Sequence, residues 1–441
     1  MSPLPHPRPT ALDRRGLLKL FGAAGVGLAT AACAGPGGTT TPSTASAAAV
    51  PTTGTPKGSV SFAHWRSQDK SVFAELISGY TKKYPAASVT QDISPSADYQ
   101  SSALLEIRGA QSGDVFAAFR GAQFSSFVKA GVYEPLTSGS LIGNYHSTLI
   151  AAGAQDGTQY GLPYELVFNT PVYNQDAFDK AGHTSLPTDW DGFLGLLDDL
   201  KAKGYTPLVW PGGDSSNNGQ FLNTMVMNNA PSDQMFAEIE AGTYKTTDDW
   251  FVNTLKQYKQ LVPYMQNLPT GTSTTSATEQ FASAKAAILA VGSFEISTVR
   301  SLGAKFPVDL VAPITTSTAA AAKYEGVYNA TFILGLNAAT KVGPAAYAWI
   351  EYLSDPVNAG IYANGTAQHV TVADVEYTNA DLKRIEPWLT KKTLLDPLYQ
   401  FLNLNISAAV VNSTVSVVGG TDPEQAAAHA QTIIDQQIKI G

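Results

Sequence analysis

Cysteine is almost missing from this chain: Cys33 is the only one among 441 residues. A single thiol can form neither a disulfide framework nor a thiolate metal site. Charge is also sparse, since charged residues make up 15% of the chain and acidic residues outnumber basic ones by 36 to 28. This balance argues against nucleic acid as a partner, because phosphates bind basic patches. It favours a neutral, polar ligand over an ionic one.

Catalytic and cofactor motifs are missing as well. The chain contains no Gly-x-Ser-x-Gly elbow and no His-Glu-x-x-His pair, and its histidines do not follow metal-ligand spacing. The pair Gly212-Gly213 has neither the lysine nor the spacing of a phosphate-binding loop. We therefore expect no metal and no cofactor.

The sequence also contains no long apolar run. The N-terminal run at 20–32 is too short for a permanent membrane-spanning helix, which needs about 20 residues. It follows Arg14-Arg15 and ends in small residues, a pattern that predicts a twin-arginine (Tat) export signal over residues 1–32. Cys33 comes next, and residues 30–33 resemble a lipobox in which Thr30 replaces the usual Leu. We expect a lipidated Cys33 and a protein anchored at the outer face of the cytoplasmic membrane; a free buried thiol is the alternative.

Residues 33–57 are predicted to form a flexible linker behind this anchor. They are almost entirely Gly, Pro, Thr, Ser and Ala, so they offer too little apolar surface to become ordered. The remainder of the chain is long enough for two domains.

Short apolar runs alternate with amphipathic segments along the rest of the chain, which favours an α/β fold with parallel strands covered by helices. The predicted strands are 59–65, 114–119, 206–210, 287–291, 308–312 and 330–334. The predicted helices are a segment ending before Pro85, then 101–111, a helix ending near Gly131, 188–200, a helix from Phe221, 249–262, a helix opened by Ser276 with Glu279 in a capping box, 344–353 and 423–438.

Several local segments carry a family resemblance: 59–65, 112–115, 160–164, 172–178, 188–193, 285–288, 292–294 and 419–426. In this order, they resemble segments of the extracellular solute-binding proteins (family 1 type) that serve carbohydrate ABC importers. The resemblance spans about residues 58–440. The chain departs from the family pattern at Gln175, Phe294 and Ala284, where Lys, Trp and Gly are usual.

The resemblance implies a two-lobed, periplasmic-binding-protein-like fold (a Venus-flytrap), with discontinuous lobes joined by a multi-strand hinge. It places the chain crossings near 168–172, 311–314 and 365–372. Lobe 1 would then comprise 58–170 plus 312–368, and lobe 2 would comprise 171–311 plus 369–441. It also implies a monomer whose lobes close on a sugar or oligosaccharide and deliver it to the membrane subunits of an ABC importer.

Sugar binding needs flat aromatic rings for the C–H face of the sugar and polar side chains for its hydroxyls. Residues of these types at predicted strand ends and beside the crossings are the candidate ligand contacts: Trp65, Arg66, Asp114, Tyr164, Glu165, Trp210, Asn218, Phe294, Glu295, Tyr328, Asn329 and Trp388. Trp210 is the leading candidate, because it ends a strand directly before a Gly-rich polar loop. The tryptophans within helical patterns are predicted to be core residues instead: Trp190, Trp250 and Trp349.

Two other functions remain open from the sequence. A secreted carbohydrate-active hydrolase needs two carboxylates on opposite sides of a sugar bond, and sequence spacing does not show whether two of them converge. A binding protein for another solute, such as a peptide, a polyamine or an iron chelate, would have the same fold. A polyamine site would need several acidic groups, which the predicted cleft has only in part.

Overall fold

The computed structural model describes residues 49–109 and 112–440. The predicted export signal, the proposed lipidation site Cys33 and the first part of the linker lie outside the described residues. No helix in the described part of the chain is long and apolar enough to cross a membrane.

Strands and helices alternate along most of the described chain. The strands are β1 Gly58–His64, β2 Ala87–Ile93, β3 Val115–Ala118, β4 Tyr133–Glu134, β5 Ala154–Gln155, β6 Thr158–Gln159, β7 Gly161–Val167, β8 Val172–Asn174, β9 Thr206–Val209, β10 Ala286–Leu289, β11 Val308–Leu310, β12 Gly326–Asn337, β13 His369–Val370 and β14 Thr393–Leu395. The helices are α1 Lys70–Lys83, α2 Ser96–Arg108, α3 Ala122–Lys129, α4 Gly139–Ile142, α5 Gln175–Ala181, α6 Trp190–Ala202, α7 Gln220–Val226, α8 Met235–Glu240, α9 Asp249–Leu261, α10 Thr274–Ala282, α11 Ile296–Ser301, α12 Gly343–Leu353, α13 Pro356–Thr366, α14 Ala380–Ile385, α15 Leu404–Val418 and α16 Pro423–Ile440. The predicted α/β class is confirmed.

Lobe 1 is built on the larger sheet, whose strand order is β13-β7-β12-β3-β1-β2, with β14 and β4 also pairing with β12. Strands β1, β2 and β3 run parallel, whereas the long strand β12 runs antiparallel to β3 and β7. Helices α1, α12 and α13 cover one face of the sheet. Aromatic rings fill the layer between them, with Phe62 lying 5.9 Å from Trp349 and 6.3 Å from Phe332 between ring centroids. This layer is the apolar core of lobe 1.

Lobe 2 is built on a smaller sheet of order β11-β8-β10-β9 and has a core of its own. Strands β9 and β10 run parallel, so their carboxyl ends lie at the same edge. Helices α9, α15 and α16 pack against one another, and Val410 and Ile434 are fully buried between them. Trp190 is buried in this core, as Trp349 is in the core of lobe 1, so both predictions are confirmed. Trp250 is half-buried against the lobe 2 core.

From β7 to α14 the chain passes between the two sheets three times, and further along the chain β14 pairs again with the start of β12 in the larger sheet. It leaves the larger sheet after β7 and enters the smaller sheet at β8, returns between β11 and β12, and leaves again between β13 and α14, which packs on β11. The predicted third boundary needs a correction. His369 and Val370 pair with β7 in the larger sheet, and Val372 packs in the lobe 1 core, so this segment belongs to lobe 1 rather than lobe 2.

The predicted linker also needs a correction at its C-terminal end. Val50 is only 7% exposed and packs in the lobe 1 core, against the start of α12. A Cβ atom on Gly343 would lie 2.3 Å from the carbonyl oxygen of Pro51, so the glycine permits this close approach. The tract thus docks on lobe 1 through Val50, whereas most of residues 51–57 are exposed.

Helices α6 and α16 begin directly after their capping residues, whereas the cap of α10 lies three residues earlier than predicted. The Asp189 side chain accepts a hydrogen bond from Gly192 N and begins α6, and Asp422 does the same for Glu424 N ahead of α16. The predicted capping box is displaced by one turn. Ser273 rather than Ser276 caps α10, and its hydroxyl accepts from Ser276 N.

Candidate functional site

A cleft of about 820 Å³ lies between the two lobes. Its lobe 1 wall consists of the residues that follow β1 and β3, together with parts of β7 and β12. Its lobe 2 wall consists of residues 215–220 after β9, Phe294 and Glu295 after β10, and several residues between 398 and 412. The parallel strands of both sheets therefore end at the cleft, which is the usual place for a ligand in open α/β folds. Its size is typical of a small-molecule site.

More than half of the candidate ligand contacts line this cleft. Those that do are Trp65, Arg66, Glu165, Asn218, Phe294, Glu295 and Asn329. They come from both lobes, and each lies at the end of a strand, in a loop that follows one, or on β7 or β12 beside the crossings. They are brought together by strand topology although they are spread over more than 260 positions of sequence.

A buried ion network lies behind the lobe 1 wall of the cleft, and its members Arg66 and Glu165 reach the lining. Arg66 Nε lies 2.6 Å from Asp69 Oδ2 and 3.1 Å from Glu165 Oε1, and all three side chains are at most 4% exposed. The hydroxyl group of Tyr362 contacts both carboxylates, at 2.8 Å from Asp69 Oδ2. Burial alone would lower the pKa of Arg66, but Asp69 and Glu165 raise it well above its usual value. Burial raises the pKa of Glu165 to about 6, against the opposing charge of Arg66.

The charges that line the cleft are balanced between the signs. Two arginines, Arg66 and Arg120, face two glutamates, Glu165 and Glu295. Burial raises the pKa of Glu295, and the charge of Arg66 on the opposite lobe opposes that rise. A balanced lining gives no net attraction to a strongly charged ligand. In the described residues, no group of three or more His, Cys, Asp or Glu side chains is arranged to hold a metal ion.

The cleft lining includes buried polar atoms without hydrogen-bond partners. Five of its lining side chains each have one such atom among the described residues: Arg66 Nη2, Asn169 Oδ1, Asn218 Oδ1, Gln220 Oε1 and Thr331 Oγ1. Buried polar groups in folded proteins are nearly always hydrogen-bonded, and leaving one unpaired costs about 1–3 kcal/mol. Donor and acceptor atoms are both present in this set. They match a ligand that offers hydroxyl groups, each of which can donate and accept.

Aromatic rings form part of the lobe 1 wall. Trp65 and Phe119 are stacked, with centroids 3.7 Å apart and an interplanar angle of 20°, and Phe119 is the more exposed of the two. Phe119 and Arg120 were not among the predicted contacts. A signal for them exists in the sequence, since an aromatic residue and an arginine follow β3 as Trp65 and Arg66 follow β1. No comparable signal marks Asn169 or Thr331.

The leading candidate, Trp210, does not line the cleft. Its side chain is fully buried, its Nε1–H donates to the Asn218 carbonyl oxygen at 3.0 Å, and its ring lies 6.4 Å from that of Tyr258. A Cβ atom on Gly212 would lie 2.4 Å from the indole ring. The glycine after Trp210 therefore makes room for the ring in the core rather than for a ligand. Trp210 supports the loop that carries Asn218.

Four further candidates also lie outside the cleft lining. Asp114 precedes β3 at the opposite edge of the sheet, where it accepts hydrogen bonds from Ser61 N at 2.9 Å and the Thr340 hydroxyl at 2.5 Å. Tyr164 is fully buried in the lobe 1 core. Trp388 is 3% exposed, and its Nε1–H donates to Asp309 at 2.9 Å. Tyr328 lines a neighbouring groove instead.

His64, directly behind the cleft, makes stability sensitive to acid. Its Nδ1 accepts from Arg66 N and its Nε2 contacts Gln91 Oε1, so the ring is held neutral, and burial lowers its pKa to about 3 from 6.5. The unfolded state therefore binds one more proton than the folded state between these values. The stabilising effect of neutral His64 is complete above about pH 6.5 and is lost as the pH falls toward 3.

We expect the stability advantage of the native protein over His64→Gln to shrink on acidification. The decrease should approach about 1.4 kcal/mol per pH unit below pH 6.5. Urea unfolding of both proteins at several pH values between neutral and acidic measures it. A difference that stays constant with pH would contradict the assignment.

A family model of bacterial extracellular solute-binding proteins matches residues 64–360, more than half of the chain. The chain belongs to the bacterial extracellular solute-binding proteins. No curated protein matches this solute-binding protein. Among solved structures, it is similar to RafE in complex with raffinose, with a TM-score of 0.75 and 17% identity over 87% of this chain and 100% of that one.

Two further structures show the same similarity. A chitin oligosaccharide binding protein has a TM-score of 0.72 and 20% identity over 87% of this chain and 99% of that one. The GacH receptor of Streptomyces glaucescens, studied unliganded and with acarbose, has a TM-score of 0.70 and 18% identity over 87% and 99%. This solute-binding protein therefore has the two-lobed fold predicted from its sequence.

Proposed function

We propose that this protein binds a neutral sugar or oligosaccharide in the cleft between its lobes. The observation that carries the proposal is the set of five buried, unpartnered polar atoms around the cleft, contributed by lobe 1, lobe 2 and the first crossing. Sugar hydroxyls would complete their hydrogen bonds. The exposed side of Phe119 and the half-buried Phe294 offer apolar surface for the C–H face of a ring.

The position of these groups supports ligand-linked closure of the lobes. Arg66 and Thr331 belong to lobe 1, whereas Asn218 and Gln220 belong to lobe 2. A ligand gains all of these hydrogen bonds only when both walls are close together, so binding shifts the protein toward the closed form. The solved structures similar to this chain include proteins described with raffinose, acarbose and stachyose.

The family supports an exported protein that serves an ABC importer, and the N-terminal sequence supports the proposed lipid anchor. We place it outside the cytoplasmic membrane, anchored through a lipid on Cys33, with the export signal removed. Its role there is to deliver the bound sugar, chemically unchanged, to the membrane subunits of an ABC importer. Glu165 is already paired with Arg66 and Tyr362, so its carboxylate is held by the protein itself. That arrangement favours binding over hydrolysis.

Isothermal titration calorimetry tests the proposal. The protein should bind at least one of raffinose, stachyose, acarbose, galactose or a chitin oligosaccharide, and chromatography should recover that sugar intact. Spermidine, a charged solute, should not bind. Binding of spermidine without any sugar would overturn the proposal, and so would cleavage of the sugar.

Asn218→Ala should weaken sugar binding without harming the fold. Its Oδ1 is buried without a partner in the unliganded protein, so removing it costs little stability but removes a ligand hydrogen bond. We expect an affinity loss of about tenfold, equivalent to about 1.4 kcal/mol, measured by calorimetry with the best-binding sugar. The matched control is Asn405→Ala, an exposed lobe 2 side chain outside the cleft. Equal affinities for both variants would contradict the role of Asn218.

A further inference from the structure

A second cavity lies beside the cleft, on the side of lobe 1. This groove has a volume of about 650 Å³ and is lined by α3, the β5–β6 hairpin with the turn before it, and part of β12. Arg120 and Leu402 line both the cleft and the groove. The two spaces are therefore neighbours that share these two side chains.

The junction at Arg120 is held in a fixed position. Arg120 Nε donates to Asn329 Oδ1 and Nη2 donates to the Asp396 carbonyl oxygen, both at 2.8 Å. The guanidinium carbon also lies 5.4 Å from the centroid of the Tyr399 ring. These contacts join the end of β3 to β12 and to the segment after β14. Part of the boundary between cleft and groove is thus an ordered side chain.

The lining of the groove has the same two kinds of group as the cleft. Apolar side chains such as Tyr328 and Leu402 line it beside the hydroxyl groups of Ser125 and Thr148. Charged side chains of both signs, Lys129 and Asp156, also lie in this lining in addition to Arg120. Tyr328 is half-buried, so part of its ring faces solvent beside β12. A ring beside hydroxyl side chains is suited to a sugar unit. Tyr328, a predicted ligand contact that does not line the cleft, therefore lines this groove.

We propose that the groove binds the further units of an oligosaccharide whose first units occupy the cleft. The inference rests on the proposed function and adds to it that the preferred ligand is an oligosaccharide too long for the cleft alone. Its chain crosses the boundary marked by Arg120 and Leu402 and lies against Tyr328. Affinity then increases with chain length until the groove is filled.

Calorimetry with a ladder of related sugars tests this: sucrose, raffinose, stachyose and verbascose, with malto-, xylo- and chito-oligosaccharide ladders beside it. The variant is Ala151→Trp, because Ala151 is exposed and lines the groove but not the cleft. The matched control is Ser147→Trp, an exposed position nearby that lines neither. We expect Ala151→Trp to weaken the longest bound member at least about tenfold while the shortest bound member changes by less than about twofold.

Each outcome decides the inference. The inference is supported if Ala151→Trp loses affinity for long sugars only, while Ser147→Trp keeps the affinities of the native protein. Affinity independent of chain length, or equal effects on short and long sugars, overturns the groove but leaves sugar binding in the cleft intact. If no member of any ladder binds, the proposed function fails and the groove inference fails with it. Ser125→Trp, which fills the groove from α3, serves in the same comparison if Ala151→Trp does not fold.

Discussion

Replacing Arg66 by methionine is expected to lower the free energy of unfolding by about 3–5 kcal/mol near neutral pH. The guanidinium is 4% exposed and is the cation paired with both Asp69 and Glu165. Without it, two buried carboxylates face each other with only the Tyr362 hydroxyl between them. Urea unfolding of the unliganded protein measures the loss.

The pH dependence distinguishes this electrostatic cause from simple loss of packing. The pKa of Glu165 is raised to about 6 by burial, so the carboxyl becomes neutral on mild acidification. The cost of Arg66→Met should therefore be smaller near pH 5 than near pH 8. The double variant Arg66→Met/Glu165→Gln should recover part of the stability at neutral pH. A loss below about 1 kcal/mol for Arg66→Met would contradict the proposed role of the network.

Trp210→Ala is expected to destabilise the protein by about 3–5 kcal/mol, because it removes a large side chain from a packed core. Trp210 is fully buried, packs on Gly212 and gives its Nε1–H to the Asn218 carbonyl oxygen. The measurement is again urea unfolding. The half-buried Trp250, in the same lobe, provides a matched tryptophan-to-alanine control with a smaller expected loss.

The same pair of variants tests whether Trp210 contacts the ligand directly. If Trp210→Ala kept its stability and lost sugar affinity, the buried placement would be wrong and the stacking role predicted from the sequence would be right. Because Trp210 supports the loop with Asn218, we expect some loss of affinity together with the loss of stability. Stability therefore decides between the two interpretations.

The fold was largely predictable because its elements have strong local signals. Strand β1 shows alternation, and α6 has both a capping aspartate and an apolar face. Helix α15 was not predicted. Its Val410, Val411 and Val417 are β-branched residues typical of strands, and packing against α9 and α16 overrides that preference. Tertiary contacts thus determine the secondary structure of α15, where local propensity predicts a strand.

The cleft was predictable to the extent that strand ends mark it. Trp65, Arg66 and Phe294 follow strands that end at the cleft, so their positions in sequence were informative. Trp210 also ends a strand, but its ring turns into the core, and a sequence does not record the direction of a side chain. Whether Thr331 Oγ1 finds a partner depends on its neighbours across the sheet. That information exists only in the folded protein.

The most direct test of sugar binding between the lobes is a crystal structure with the best-binding sugar from calorimetry. We predict intact sugar in the cleft, with hydroxyls within hydrogen-bond distance, about 2.5–3.2 Å, of the unpartnered atoms of Arg66, Asn218 and Thr331. Sugar bound outside the cleft, or bound there without contacting these atoms, would contradict the account.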